Sequence, residues 1–297
     1  MVMSMKNCNL CPRNCGVDRS IKKGVCNSSD KIKVARASLH MWEEPCISGN
    51  KGSGAVFFSG CSLRCVYCQN SKISGGITGK EITQERLAEI FFELKHKGAA
   101  NINLVTGDHY IPQIAKALVQ AKESGLDIPI ILNTSSYVNV DTLKMLDGLV
   151  DVYLPDFKYF DEQIAKKYSC APDYPKTAMS AIKHMYKVSG KPQFEDGYIT
   201  KGVIVRHLVL PNNILNSKKV IKYLSDTYGN DIYISIMSQY TPCTDLSEYP
   251  EINRKITKKE YSKVVDFAIK LGLSNAFVQE GECARESFIP QFDLSGV

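Results

Sequence analysis

Short apolar runs alternate with longer amphipathic stretches along most of the chain, from residue 55 to residue 278. The apolar runs have the length and residue types of buried strands, and the amphipathic stretches repeat apolar residues with the spacing of a helix face. Strands are predicted over residues 55–58, 101–105, 129–132, 152–154, 203–210, 232–237 and 276–278. Helices are predicted over residues 83–97, 111–122, 140–146, 162–168, 177–188, 217–228 and 257–271.

Strands that alternate with helices predict an α/β fold, in which right-handed βαβ units build a parallel sheet. The roughly six repeats fall short of the eight that close a barrel, so we expect an open, partial (β/α)6 barrel with functional loops at the carboxyl ends of its strands. We assign residues 51–297 to this barrel. Residues 1–50 are expected to form an irregular cysteine-rich segment without helix or sheet, and residues 190–201 to form a loop.

The composition is that of a globular protein, with 44% hydrophobic and 23% charged residues. No apolar stretch reaches the ~18–20 residues of a membrane-spanning helix, and the first residues lack the apolar core of a secretion signal. We therefore expect a cytoplasmic protein without a membrane partner. The net charge of +6 is dispersed along the chain, which does not favour a nucleic-acid partner.

Eleven cysteines are unusual for a protein of a reducing compartment, where clustered thiols indicate metal ligation or catalysis. Cys61, Cys65 and Cys68 directly follow the first predicted strand with the spacing C-x3-C-x2-C. Thiolates are the ligands of iron–sulfur clusters, and three of them would leave one iron of a [4Fe–4S] cluster open. The amino and carboxylate groups of S-adenosylmethionine can chelate such an iron. A zinc loop with a distant fourth ligand is the alternative interpretation.

A second group of cysteines, Cys8, Cys11, Cys15 and Cys26, has the spacing C-x2-C-x3-C-x10-C. Four close thiolates can hold a second iron–sulfur cluster or a structural zinc ion. Free buried thiols are the alternative, which the close spacing disfavours. No role is predicted for the isolated cysteines, which are Cys46, Cys170, Cys243 and Cys283.

The three cysteines at this spacing, Tyr67 just before the last of them and the partial β/α barrel together resemble the radical S-adenosylmethionine (radical SAM) superfamily. Further segments, between residue 8 and about residue 272, resemble a family of uncharacterised iron–sulfur proteins related to pyruvate formate-lyase activating enzyme. These segments are residues 8–17, 24–26, 43–45, 52–54, 105–109, 153–159 and 206–211.

The resemblance implies an oxidoreductase in which a reduced cluster gives an electron to the sulfonium of S-adenosylmethionine. Methionine and a 5′-deoxyadenosyl radical are released, and the radical removes a hydrogen atom from a substrate. The cofactors carry this chemistry, while the protein binds, orients and shields them. An electron donor such as flavodoxin or ferredoxin is implied as a partner.

The resemblance also implies which residues surround the cofactor. Tyr67 lies between two cysteine ligands, either near the adenine or packed in the core. Thr106, Gly107 and Asp108 follow the second predicted strand, where activating enzymes have two glycines and a glutamate around the methionine amino group. Asp108 can replace that glutamate, or backbone carbonyl groups can hold the amine.

Asn133 and Thr134 end the third predicted strand, and Asp156 and Lys158 follow the fourth. They resemble an aspartate–threonine pair and a D-x-K segment that lie around a monovalent cation, near the methionine carboxylate, in activating enzymes. Oxygen ligands suit such a cation, but Asn133 stands in place of the aspartate, which puts the cation in doubt. A salt bridge at a strand end is the alternative interpretation of Asp156 and Lys158.

Arg206 on the fifth predicted strand and Gln239 after the sixth complete the implied set. Arg206 offers a planar fork of donors to a carboxylate or a ribose. Successive side chains of a strand point to opposite faces, so only one of Arg206 and His207 can point inward, and we favour Arg206.

Three functions remain open at this point. The first is activation of a glycyl radical enzyme, a large partner protein whose backbone glycine is the substrate, and it rests on family kinship. The second is modification of a small molecule or peptide, which the amino-terminal cysteines and the altered Thr106–Asp108 segment favour. The third is a non-enzymatic iron–sulfur or zinc protein, which the lack of a nearby fourth cysteine disfavours.

Overall fold

The structure is a computed structural model, and it describes residues 5–279 and 290–297. Within residues 5–279, ten strands form one sheet. They are β1 (Ile32–His40), β2 (Ser53–Phe58), β3 (Lys80–Ile82), β4 (Ile102–Val105), β5 (Ile130–Thr134), β6 (Val152–Pro155), β7 (Gln193–Glu195), β8 (Tyr198–Leu208), β9 (Tyr233–Met237) and β10 (Ala276–Val278).

Helices separate most of these strands. The α-helices are α1 (Pro45–Ser48), α2 (Ser71–Ser74), α3 (Gln84–His96), α4 (Ile111–Glu123), α5 (Val140–Leu143), α6 (Glu162–Ser169), α7 (Tyr174–Ser189), α8 (Ile214–Tyr228) and α9 (Lys258–Lys270). Two short 3-10 turns, Asp108–Tyr110 and Lys144–Leu146, precede α4 and extend α5. In the part of the chain that the structure describes, none of the helices combines the length and the apolar character needed to cross a bilayer.

The strand order along the sheet is β10-β9-β8-β6-β5-β4-β2-β1-β3, and β7 pairs with β8 off this path. Neighbours from β2 to β10 are parallel, whereas β1 runs antiparallel to both β2 and β3. Among the described residues, the end strands β3 and β10 do not pair with each other, so the barrel is not closed. The predicted α/β fold with an open, partial barrel is confirmed.

Alternate residues of the parallel strands pack on opposite sides of the sheet. In β6, Tyr153 belongs to the main core that the helices cover, whereas Val152 and Leu154 pack on the concave side. There they meet Cys46 and Ile47 of α1, which therefore fills part of the barrel interior. The residues just before α1 are consequently directed into the interior as well.

Two of the long outer helices begin where their caps predict. The hydroxyl of Thr83 accepts a hydrogen bond of 3.1 Å from the backbone N–H of Arg86 at the start of α3. Thr257 and Glu260 form a capping box at the start of α9. Each cap satisfies backbone donors that the first helical turn leaves unpaired, which stabilises a helix by about 1 kcal/mol.

Two predictions about local structure are wrong. Residues 32–40 and 45–48 form β1 and α1 within a segment that was expected to have neither strand nor helix. β1 carries polar residues between its buried ones, and it is stabilised by pairing with β2 rather than by a continuous apolar run. Residues 193–201, expected as a loop, form a β7–β8 hairpin around Asp196 and Gly197, both with positive φ. Asp-Gly is a strong sequence signal for that turn.

Candidate active site

The three cysteines of the loop after β2 line one cavity at the carboxyl ends of the parallel strands, with a volume of about 220 Å³. Cys61 is buried, while Cys65 and Cys68 are half-buried. The loop leaves the strand through Gly60 at a φ of +94°, where a Cβ atom would collide with the Ser28 hydroxyl. Only glycine fits that position, and the turn it allows brings the three predicted ligands together.

Two thiols of this loop, those of Cys61 and Cys68, are held in an environment that favours their neutral form. Burial, together with the neighbouring thiols, raises the pKa of Cys61 to about 12 and that of Cys68 to about 11. A metal must therefore displace protons to bind. Among the described residues, no three His, Cys, Asp or Glu side chains converge where one ion could bind them all. Zinc needs such convergence, with each sulfur about 2.3 Å from the ion, whereas a cube of irons and sulfides spreads its ligands farther apart.

Tyr67 lies behind the thiols. Its buried ring packs edge-on against Tyr159, Tyr168 and Tyr240, with centroids 5.9–6.4 Å apart, and its hydroxyl lies 2.7 Å from that of Tyr159. Tyr67 also lines the cavity. It therefore packs in the core, as one of the two interpretations has it, and also borders the space beside the cysteine loop, while its position near the adenine stays a prediction.

Arg206 is the centre of a buried polar network on the concave side of the sheet. Its guanidinium donates hydrogen bonds to Asp156 Oδ1 at 3.0 Å, to Glu43 Oε2 at 3.3 Å and to Asn133 Oδ1 at 2.5 Å. Lys158 Nζ donates to the other carboxylate oxygen of Asp156 at 2.6 Å. All five side chains line the cavity.

Asp156 and Lys158 of this network remain ionised although they are buried, whereas burial raises the pKa of the Glu43 carboxyl. Burial raises the pKa of the Asp156 carboxyl, but Lys158 and Arg206 outweigh that effect and hold the pKa below its usual value. Burial also opposes the charge of Lys158, and Asp156 more than compensates, so the pKa of Lys158 is raised. The strand-end salt bridge considered for Asp156 and Lys158 is therefore present.

Most of the predicted cofactor residues face the cavity, and three do not. Those that line it, besides the cysteines, are Tyr67, Thr106, Asn133, Asp156, Lys158, Arg206 and Gln239. Gly107, Asp108 and Thr134 lie behind its wall. The prediction that only one of Arg206 and His207 points inward is confirmed, because His207 Nδ1 donates to the Phe157 carbonyl oxygen at 2.7 Å on the opposite face.

Asp108 is buried beside the cavity wall. Its Oδ2 accepts a hydrogen bond of 3.2 Å from Ser135, a wall residue, and its Oδ1 has no partner in the described part of the chain. Burial raises the pKa of Asp108 to about 6. Thr106 has a φ of +58°, the left-handed region that favours glycine. Thr106 thus adopts the type of backbone conformation that a glycine pair at this point would readily supply.

Sequence reasoning missed Glu43 as a site residue. Besides contacting Arg206, its Oε1 accepts a hydrogen bond of 3.1 Å from Asn103 Nδ2. His40 and Trp42, from the same loop between β1 and α1, also line the cavity. The sequence contained a signal for a site residue, because the two adjacent acidic residues Glu43 and Glu44 stand directly before Pro45.

The other cysteines lie outside this cavity. Cys8, Cys11, Cys15 and Cys26 are in the irregular segment before β1. Of the isolated cysteines, Cys46 is buried, Cys243 is half-buried and Cys170 is exposed at the end of α6, while Cys283 is outside the described residues.

Comparison with known proteins connects this site to a family. The sequence model of the radical SAM superfamily matches residues 55–212, more than half of the chain. An uncharacterised protein of Methanocaldococcus jannaschii is 30% identical over 90% of this chain and 76% of its own length. The pyruvate formate-lyase-activating enzyme of Clostridium pasteurianum is 26% identical over 59% of this chain and 68% of its own length.

Solved structures share the fold. The FeFe-hydrogenase maturase HydG of Carboxydothermus hydrogenoformans matches 79% of this chain and 56% of its own, with a TM-score of 0.53 and 14% identity. Streptococcus suis SuiB, solved with the precursor peptide SuiA, matches 73% of this chain and 46% of its own, with a TM-score of 0.52 and 12% identity. This chain spans about half the length of each, and the likeness concerns the fold alone.

Proposed function

This chain belongs to the radical SAM superfamily, and from that premise we propose that it cleaves S-adenosylmethionine reductively at a [4Fe–4S] cluster held by Cys61, Cys65 and Cys68. The observation that carries the proposal is that the three thiols line a single cavity together with Arg206 and Lys158. When bound, the cluster supplies the electron that breaks a carbon–sulfur bond of S-adenosylmethionine and yields a 5′-deoxyadenosyl radical.

The residues around the cavity suit the methionine part of S-adenosylmethionine. That part carries both an ammonium and a carboxylate, and the network offers both signs of charge. Arg206 and Lys158 provide donors, and Glu43 and Asp156 provide acceptors, each held in place by a partner within 3.3 Å. Because the side chains are already oriented, little reorganisation is needed when the ligand binds. Their role is to bind and orient the methionine group beside the open iron.

The aromatic wall has a different role. Phe57, Phe58 and Tyr67 line the same cavity as the thiols, and all three are buried. Such a lining limits the access of water and oxygen to a reactive radical.

Reductive cleavage is tested in anaerobic, cluster-reconstituted protein reduced with dithionite. We expect 5′-deoxyadenosine and methionine to form from S-adenosylmethionine. A variant with Cys61→Ala, Cys65→Ala and Cys68→Ala is expected to form none, whereas Cys170→Ser, which changes an exposed cysteine, retains the reaction. Equal product from the triple variant and the native protein would overturn the proposal.

For the substrate of the radical, we propose the backbone glycine of a glycyl radical enzyme. The support is the partial likeness to the activating enzyme of Clostridium pasteurianum. Flavodoxin or ferredoxin is the proposed electron donor. Mixing the reduced protein and S-adenosylmethionine with glycyl radical enzymes should generate the doublet signal of a glycyl radical in electron paramagnetic resonance (EPR) spectra.

A small molecule or a peptide is the second candidate substrate. The left-handed Thr106 and the cysteine segment before β1 favour it, since both depart from the simplest activating enzymes. If metabolite or peptide fractions stimulate 5′-deoxyadenosine formation while no glycyl radical appears with any partner protein, the second candidate replaces the first.

A further inference from the structure

The segment before β1 needs a stabilising element that its own side chains do not provide. Residues 5–31 contain neither helix nor strand. Their buried side chains are Cys8, Leu10, Cys11, Arg19, Cys26 and Ser28. One leucine cannot supply a hydrophobic core, and segments of this size are held by disulfides or metals when apolar burial is insufficient. The four cysteines carry free thiols, so disulfides do not hold the segment.

The four thiols of this segment are neighbours. Cys8 N–H donates to the Val17 carbonyl oxygen and Gly16 N–H donates to the Cys8 carbonyl oxygen, both at 3.0 Å, which folds the chain back on itself. A Cβ atom placed on Gly24 would lie 3.3 Å from Cys15 Sγ and 3.5 Å from Cys26 Sγ, so these two sulfur atoms flank the same point. Cys11 is close enough to the other three for its thiol to be influenced by each of them.

A buried positive charge accompanies the thiols. Arg19 is 1% exposed and lies close enough to Cys8 to act on it electrostatically. It donates hydrogen bonds to the carbonyl oxygens of Ser28, Ser29 and His109. Across residues 5–279 and 290–297, no carboxylate forms an ion pair with it. A buried charge normally has a counter-charge, and a cube bound by four thiolates is an anion.

We propose that Cys8, Cys11, Cys15 and Cys26 ligate a second [4Fe–4S] cluster, with Arg19 as its buried counter-charge. A single zinc ion fits less well, because the described side chains include no three such ligands that converge on one ion. Four protein thiolates leave no open iron, so this second site does not bind S-adenosylmethionine and does not depend on its cleavage.

The second site adjoins the first through Arg13, which lies between Cys11 and Cys15. Its guanidinium donates to the carbonyl oxygens of Ser62 at 3.0 Å and Leu63 at 3.2 Å, both in the cysteine loop after β2. It also donates to the carbonyl oxygens at the end of α6, 2.8 Å from Ser169 and 2.6 Å from Cys170. Occupancy of the second site therefore fixes the arginine that holds the first loop.

Iron and zinc analysis with EPR spectroscopy tests the second cluster in the full chain, purified and reconstituted without oxygen. The native protein should hold about eight irons and no zinc, about four for each cube. Cys15→Ser with Cys26→Ser should retain about four irons, whose reduced signal changes on adding S-adenosylmethionine. The Cys61→Ala, Cys65→Ala and Cys68→Ala variant should also retain about four, with a reduced signal that S-adenosylmethionine leaves unchanged. Cys170→Ser should match the native protein.

Any one of three results would overturn the second cluster. The native protein could bind only about four irons, or it could bind a zinc ion that the Cys15→Ser and Cys26→Ser variant lacks. The triple alanine variant could also bind no iron. The triple alanine variant keeps the amino-terminal segment intact. Its iron content therefore tests the second cluster even if the Cys15→Ser and Cys26→Ser variant does not fold. Iron in the triple variant, combined with no S-adenosylmethionine cleavage by native protein, would reject the proposed function and keep the second cluster.

Discussion

The hydroxyl of Ser169, at the end of α6, lies 3.1 Å from the sulfur of Cys65 and donates a hydrogen bond to it. The same hydroxyl lies 2.9 Å from that of Tyr159, and the Ser169 carbonyl oxygen accepts from Arg13. Ser169 is thus held against Cys65, a predicted cluster ligand about a hundred positions away along the chain, by its contacts with Tyr159 and Arg13. Hydrogen bonds to ligand sulfurs are among the factors that set the reduction potential of a cluster.

Replacing Ser169 with alanine should lower the reduction potential of the cluster at Cys61, Cys65 and Cys68. The hydrogen bond favours the more electron-rich reduced state, and about 1 kcal/mol of such preference corresponds to about 40 mV for one electron. An EPR-monitored redox titration measures the shift. Ser189→Ala is the matched control, because Ser189 is also buried but donates to the Met185 carbonyl oxygen within α7. Equal potentials for Ser169→Ala and Ser189→Ala would contradict the assignment.

Replacing Arg13 with alanine should loosen the loop of Cys61–Cys68. Four hydrogen bonds from one guanidinium are lost, and Arg13→Lys should restore only part of them, since an ammonium lacks the planar fork. We expect iron to be lost to a chelator about ten to a hundred times faster, equivalent to about 1.4–2.8 kcal/mol. Arg86→Ala, which removes an arginine paired with glutamates on α3, should leave the rate unchanged. A rate for Arg13→Ala equal to that control would be inconsistent with this role.

Replacing Arg206 with alanine should destabilise the protein by about 3–5 kcal/mol, because Asp156 and Glu43 lose a buried partner. Urea unfolding measures the change. Adding Glu43→Gln to Arg206→Ala should recover part of the loss, since one unpaired carboxylate is removed. If the double variant is no more stable than Arg206→Ala alone, unpaired charge is not the cause. Arg206→Lys keeps the charge and should cost less than the alanine variant.

The unfolding free energy should fall as the pH drops below about 6.5, in part through His109. Burial and the nearby Arg19 lower the pKa of His109 to about 3. Below pH 6.5, His109 is therefore protonated in the unfolded chain while it stays neutral in the folded chain. Stability from this group is present above pH 6.5 and is lost as the pH falls. Between pH 7 and pH 5, metal-free native protein should lose about 2 kcal/mol more than His109→Gln. Glutamine can keep the hydrogen bond to the Ser59 carbonyl oxygen that His109 Nε2 makes at 2.9 Å. Parallel urea titrations with equal losses would exclude His109 as the source.

The sequence allowed the parallel part of the sheet to be predicted because each strand there is a nearly continuous apolar run. β2 and β5 are buried at every position, which is typical of strands covered on both faces. β1 lacks that signal, because Arg36 and Ser38 interrupt its apolar residues and its stability comes from pairing with β2. Pairing with a strand elsewhere in the chain leaves no local pattern to detect.

The candidate site was predictable where strand periodicity applies and unpredictable where tertiary packing decides. Alternation along β8 correctly separated Arg206 from His207. Glu43 enters the cavity because α1 packs inside the barrel, and the two acidic residues before Pro45 indicate a site residue without specifying that placement. Asp108 follows β4 as expected, yet it turns behind the wall formed by Ser135. Spacing and family resemblance supplied the three cysteines, and three-dimensional packing supplied what surrounds them.

The contacts of Arg13 also fix an order of events during synthesis. Arg13 leaves the ribosome well before its most distant hydrogen-bond partner, Cys170, which lies 157 positions later. At about 5–20 residues per second, that partner is translated roughly 8–30 seconds afterwards. The cysteines around Arg13 therefore emerge before the α6 residues that Arg13 contacts, so during each round of translation they are exposed to solvent, to free metal ions and to oxidants before those contacts can form.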